Sequence, residues 1–136
     1  MTKELLAELF STDSALLEKF HILAPNSAEV CAERTLKDLE ESNVEIHLIK
    51  KKDKVIGYYG VELTPYMDSL TGFFLTPENR TKEDIENFWT EVHSKFNRDF
   101  FVGLYDKNTR AIKFIEKESS FKTLINNIVL FKVKKR

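Results

Sequence analysis

The stretch Leu70–Phe96, LTGFFLTPENRTKEDIENFWTEVHSKF, decides how this chain folds. Leu70, Phe73, Phe74 and Leu75 form an apolar run of strand type, and Pro77-Glu78-Asn79 breaks it. Thr81 then stands as an N-cap with Asp84 three residues on, ahead of Ile85, Phe88, Trp89, Val92 and Phe96 at helical spacing. A strand, a turn and a helix start in that order make a natural anion site, because the first helical N–H groups lack partners and lie at the positive end of the dipole.

Outward from this stretch the pattern is readable on both sides. Upstream, Val44, Ile46 and Leu48 alternate with Glu45, His47 and Ile49. The alternation resumes after Lys50–Lys54 through Val55, Gly57, Tyr59, Val61 and Leu63, which predicts a hairpin turning near Lys52-Asp53 with a solvated charged loop. On this reading His47 is a residue of the polar strand face. Residues 3–21 read as a short helix, a cap at Ser11-Thr12-Asp13 and a second helix, ended by Ala24-Pro25-Asn26-Ser27. A longer helix follows from about Ala28 to Glu41. Downstream, Phe100–Leu104 reads as a strand buried on both faces, Asn108 to about Glu118 as a short helix, and roughly Asn127–Lys134 as the last strand. Phe73, Trp89, Val92, Phe101, Val102, Ile112 and Ile128 are the expected core. The class is α/β, a mixed sheet in the α+β manner with an extra helical N-terminus. Residues 1–136 are expected to form one domain, with a helical part at 1–42 and a sheet with two helices at 43–134.

Composition narrows the function. The 136 residues carry 21 basic and 22 acidic side chains, net −1, so no nucleic acid or acidic membrane is demanded as partner. Lys134-Lys135-Arg136 reads as a solvated tail. The single Cys31 excludes an internal disulfide and is read as a buried thiol, with a nucleophile as the alternative. No apolar run approaches the ~20 residues of a membrane span, no secretory signal is evident, and no metal site is expected.

The order of elements, with Asn108-Thr109-Arg110-Ala111-Ile112-Lys113-Phe114-Ile115, resembles the GNAT superfamily of N-acetyltransferases. Asn108, Ala111, Phe114 and Phe121 fall at the places of that family's late motif, and the resemblance covers about Asn43 to Val133. Within the superfamily the chain looks most like the small GNAT-like proteins of short-tailed bacteriophages, through the segment Ala32–Ser42 and the pair Gly60-Val61. The resemblance implies an acetyl-CoA site involving Arg80, Thr81, Lys82 and Asn108. It also implies a setting in a host cytoplasm or a virion, with a phage particle or a host protein as partner and the oligomeric state left open.

Three departures bear on chemistry. The family's phosphate turn reads Arg or Gln, two residues, Gly, one residue, Gly or Ala; here Arg80 is followed by Glu83 and Ile85 at the small positions. Ile115 stands where the family often has a thiolate-protonating Tyr, and Ser119-Ser120-Phe121 replaces Gly-Phe with one extra residue. Glu62, Asp68 and His47 are the candidate bases, and no spacing singles one out. The sequence therefore favours a degenerate scaffold with no cofactor, acting as a binding or structural component of a phage particle or infection programme. An active acetyl-CoA-dependent N-acyltransferase and a small modulator of a host protein are the alternatives.

Overall fold

The computed structural model describes residues 1–20 and 27–136. Helices α1 (Lys3–Ser11), α2 (Ser14–Phe20) and α3 (Ser27–Glu41) precede the strands β1 (Glu45–Lys51), β2 (Lys54–Leu63) and β3 (Asp68–Leu75). Then come α4 (Lys82–Ser94), β4 (Phe100–Tyr105), α5 (Thr109–Glu116), β5 (Ser119–Ile125) and β6 (Ile128–Val133). The helix break at Thr12-Asp13 is as expected, and Thr2 caps α1 by accepting from Leu5 N–H at 3.1 Å. The break expected at Ala24–Asn26 lies outside the described residues.

The strands form one six-stranded sheet in the order β1-β2-β3-β4-β6-β5. Lys52 and Asp53 both take positive φ to close the β1–β2 hairpin, as placed from sequence. Gly57 lets β2 lie against β3, since a Cβ there would sit 2.1 Å from the Phe74 carbonyl oxygen. β3 and β4 are parallel and joined by α4, again as expected, yet they pair only at Ser69–Phe101 and Leu70–Val102. Beyond those residues the strands part at their carboxyl ends.

One sheet face packs under α4 and α5 through Tyr59, Val61, Leu70, Val102, Phe131 and Val133. Trp89 is fully buried at the centre of that layer, with ring contacts at 5.4 Å to Phe114 and 5.9 Å to Phe100. The other face packs Tyr58, Phe74, Ile46 and Leu48 against Leu6, Leu9 and Phe10 of α1 and Ala32 and Leu39 of α3. These helices reach only the β1–β3 half.

The structure differs from the sequence reading at several places. A strand, β5, occupies Ser119–Ile125, where the sequence suggested only the end of a helix and a connection. β4 is buried on one face alone: Phe100, Val102 and Leu104 are inside, whereas Gly103 and Tyr105 are exposed and Phe101 is half-buried. Ile128 shares that open face and is exposed, so it is not core; Phe73 and Ile112 are half-buried at the core's margin. Finally, the basic C-terminal residues are docked. Lys135 N–H donates to Asp99 Oδ1 at 2.8 Å, Lys135 Nζ donates to the His93 carbonyl, and Arg136 reaches Glu86 at 2.7 Å and Glu118 at 3.0 Å.

Truncation of Trp89 to Ala should cost about 3–5 kcal/mol, read by chemical denaturation, because no neighbour can refill an indole-sized void. His93 gives a second test. It is buried between Trp89 and Phe100, and its Nδ1 accepts the Arg136 N–H at 3.3 Å. Burial first, then the Arg136 and Lys135 charges, lowers its pKa against the opposing pull of Glu118 and Glu86. The unfolded chain therefore binds this proton before the folded one does, and stability should fall as pH drops below about 6.5. In thermal melts, His93→Gln should flatten that slope between about pH 7 and 5.5.

Candidate functional site

The start of α4 is where the sequence placed an anion site, and several of its polar groups are occupied from within the chain. Thr81 is the N-cap, its hydroxyl accepting from Asp84 N–H at 3.1 Å. The Asp84 carboxylate accepts both its hydrogen bonds from Lys51 Nζ, at 3.0 and 3.1 Å, across from the β1–β2 turn. That contact is what holds the Asp84 carboxyl below the usual carboxylate range. The charged loop is thus tied to α4 at Lys51 and is not wholly solvated.

Arg80 is spent more completely. Its Nε donates to the Leu75 carbonyl at 2.8 Å, its Nη2 to Asp13 Oδ2 at 2.6 Å, and its guanidinium lies 5.3 Å from the centre of the Phe74 ring. Asp13 is itself buried, in the turn between α1 and α2. Lys82 and Glu83 are exposed, and Ile85 is half-buried against the core.

Asn108 stands at the carboxyl end of β4 as Thr81 does beyond that of β3, so both flank the crevice where the parallel strands part. It occupies the N-cap of α5 without a side-chain capping bond. The candidate bases lie elsewhere. Asp68 begins β3, at the opposite end of the sheet, where Arg98 Nε and Nη2 grip it at 3.0 and 3.2 Å; Glu62 pairs with its neighbour Ser69. His47 faces α4 and is not a polar-face residue: its ring stacks on Tyr59 at 5.0 Å, and Nε2 is 3.2 Å from Glu45. Ile115, at the position of the family's Tyr, is fully buried.

A groove of about 620 Å³ runs along α4, between Ile49, Lys51 and Ile56 of the hairpin and Asp84, Phe88 and Glu91 of the helix. Its rim mixes Lys50 and Lys82 with Glu78 and Glu83, which gives it no single charge sign. Beside it the buried Tyr59 phenol has a raised pKa, from burial first and from Glu91 second, and so is a neutral group at physiological pH. Sequence reasoning passed over Tyr59, Glu91 and Asp13. Only Asp13 left a signal, as a capping residue, and its partner lies 67 positions away. Cys31 is half-buried with its thiol pKa raised by burial, the reverse of the shift an activated nucleophile needs. Among the described residues there is no cluster able to hold a metal ion and no helix long and apolar enough to cross a membrane.

No family model matches the chain, and no curated protein matches its sequence. Solved structures do match. An acetyltransferase from Thermus thermophilus superposes with a TM-score of 0.77 at 14% identity, over 97% of this chain and 90% of that one. PaiA N-acetyltransferase from Thermoplasma acidophilum, in complex with coenzyme A, gives 0.67 at 12% identity, over 97% and 92%. A GNAT-family acetyltransferase from Elizabethkingia anophelis with acetyl-CoA bound gives 0.54 at 11% identity, over 75% and 82%. The fold is that of the GNAT acetyltransferases, with helices ahead of the sheet.

Because Arg80 and Asp13 neutralise each other in a partly desolvated place, Asp13→Ala should leave the guanidinium without its carboxylate. The expected loss is about 1–3 kcal/mol by denaturant titration, with Asp13→Asn retaining part of it through its amide oxygen.

Proposed function

We propose that this acetyltransferase-like chain uses its fold as a binding scaffold and does not carry out acetyl-CoA chemistry. The observation that carries this reading is the internal occupation of the α4 start. A diphosphate held there needs convergent N–H groups, close backbone approach and free cations. Thr81 caps Asp84 N–H, Asp84 is paired to Lys51, and Arg80 is held by Asp13 and the Leu75 carbonyl. Glu83 and Ile85 add Cβ atoms where the family carries small residues, and Glu83 adds a negative charge. On this reading the residues present do not fit the cofactor. The buried Ile115 supplies no acid for a leaving thiolate.

The biological setting rests on the resemblance to proteins of short-tailed bacteriophages. On that reading the chain is a component of a phage particle or of an infection programme, in the host cytoplasm or the virion, and its partner is a protein. The competing reading, an N-acyltransferase, is favoured by one feature: the crevice between β3 and β4 persists, with Asn108 at its mouth and its side chain unspent on capping.

Calorimetric titration with acetyl-CoA separates the two. The scaffold reading expects a Kd in the millimolar range or weaker, about −4 kcal/mol or less of binding free energy. Micromolar binding, with CoA released in the presence of an amine acceptor, would overturn it.

A further inference from the structure

The second half of the sheet ends in a cluster of exposed apolar side chains. Helices α1 and α3 pack on β1–β3, and the face of β4, β6 and β5 turned away from α4 and α5 carries Phe101, Ile128, Leu130, Phe121 and Ile125. Five large apolar side chains gather at this end, Tyr105, Phe121, Leu124, Ile125 and Ile128, each between 38% and 64% exposed. β5 is also the terminal strand of the sheet. Edge strands of soluble proteins are ordinarily blunted by proline, by free charges or by a central bulge. From Phe121 to Ile125 there is no proline and a single charge, Lys122, and the register shift lies at the far end, between Ser119 and Phe121. Lys122 is already neutralised by Glu116 at 2.8 Å.

We infer that β5 pairs with β5 of a second copy of this chain, antiparallel and about a two-fold axis at Thr123. The inference is independent of whether the chain binds acetyl-CoA. Its register follows from the hairpin. Ile125 and Ile128 close the two-residue turn at Asn126-Asn127, so they are the hydrogen-bonded pair of that turn. Phe121, Thr123 and Ile125 therefore aim their N–H and C=O groups at β6, and Lys122 and Leu124 turn theirs outward, unpaired among the described residues. A two-fold at Thr123 sets Lys122 opposite Leu124 of the second copy, which satisfies those outward groups. It sets Phe121 against Ile125 and Thr123 against Thr123, an aromatic–β-branched pair and a threonine pair, both favourable across strands. No like charges meet.

The exposed apolar area fits a small interface between two copies. At about 200 Å² for a large side chain, Phe121, Leu124, Ile125 and Ile128 expose roughly 400 Å² per chain, half of the about 800 Å² per partner of a standard interface. A symmetric partner is favoured over an unrelated one because the strand's own sequence already provides both halves of every cross-strand pair.

Sedimentation equilibrium of the intact protein at about 100 μM, where a micromolar complex is largely formed, should give twice the chain mass. Leu124→Pro removes one outward N–H and no bond to β6, and should return the mass to one chain with the melting temperature little changed. Thr123→Cys in a Cys31→Ser background should form a disulfide-linked dimer on mild oxidation, since non-hydrogen-bonded partners place Cα atoms about 4.5 Å apart. A monomer at that concentration overturns the inference. So does a dimer that yields no cross-link at Thr123, which would place the contact on the open face or elsewhere. Should Leu124→Pro fail to fold, the cross-link alone decides.

Discussion

Arg80 fastens three parts of the molecule at once. It ends the turn after β3 by binding the Leu75 carbonyl, it reaches the buried Asp13 between α1 and α2, and it lies over Phe74 on the face those helices cover. A guanidinium can do this because its planar fork spreads five donors in fixed directions, whereas an ammonium offers three from a single point. The entry angle of α4 is thereby coupled to the seating of the helical layer. The same commitment pairs this cation within the chain, on Asp13 and the Leu75 carbonyl, and turns it away from the crevice.

The elements with strong local signals were legible. The β1–β2 turn, the strand–turn–helix unit at Leu70–Phe96 and the Thr81 cap each depend on neighbours within a few residues, and each stands as read. The parallel pairing of β3 and β4 followed from a helix of crossover length between two apolar runs. The faces of β2 were less legible. Periodicity put Val55, Tyr59 and Val61 on one side, but the register slips between Ile49 and Lys50, so Val55 packs with Tyr58 toward α1 and α3 while Tyr59 and Val61 face α4. A single extra residue reverses a strand's faces, and composition does not announce it.

The site was hidden for a different reason. Arg80, Lys82 and Asn108 could be named from the resemblance, but their availability depends on partners far away in sequence: Asp13 for Arg80, and Lys51 for the neighbouring Asp84. The strand β5 was missed because Ser119–Ile125 is mostly solvent-facing and polar at its start, with no buried stripe to mark a period. Likewise the C-terminal basic run looked like a free tail until Asp99, Glu86 and Glu118 came together around it.

The pairing of β3 with β4 through only two residue pairs has a consequence for how the molecule opens. The β1–β2–β3 meander with its helical layer, and the β4–β6–β5 unit, each hold long antiparallel ladders, but their shared seam is short and is backed by a helical layer on one side. The β3–β4 hydrogen bonds at Ser69–Leu70 and Phe101–Val102 are therefore expected to open to exchange more readily than the antiparallel bonds that hold each half together. The crevice beside α4 thus marks the weakest line of backbone pairing in the sheet as well as its topological switch point.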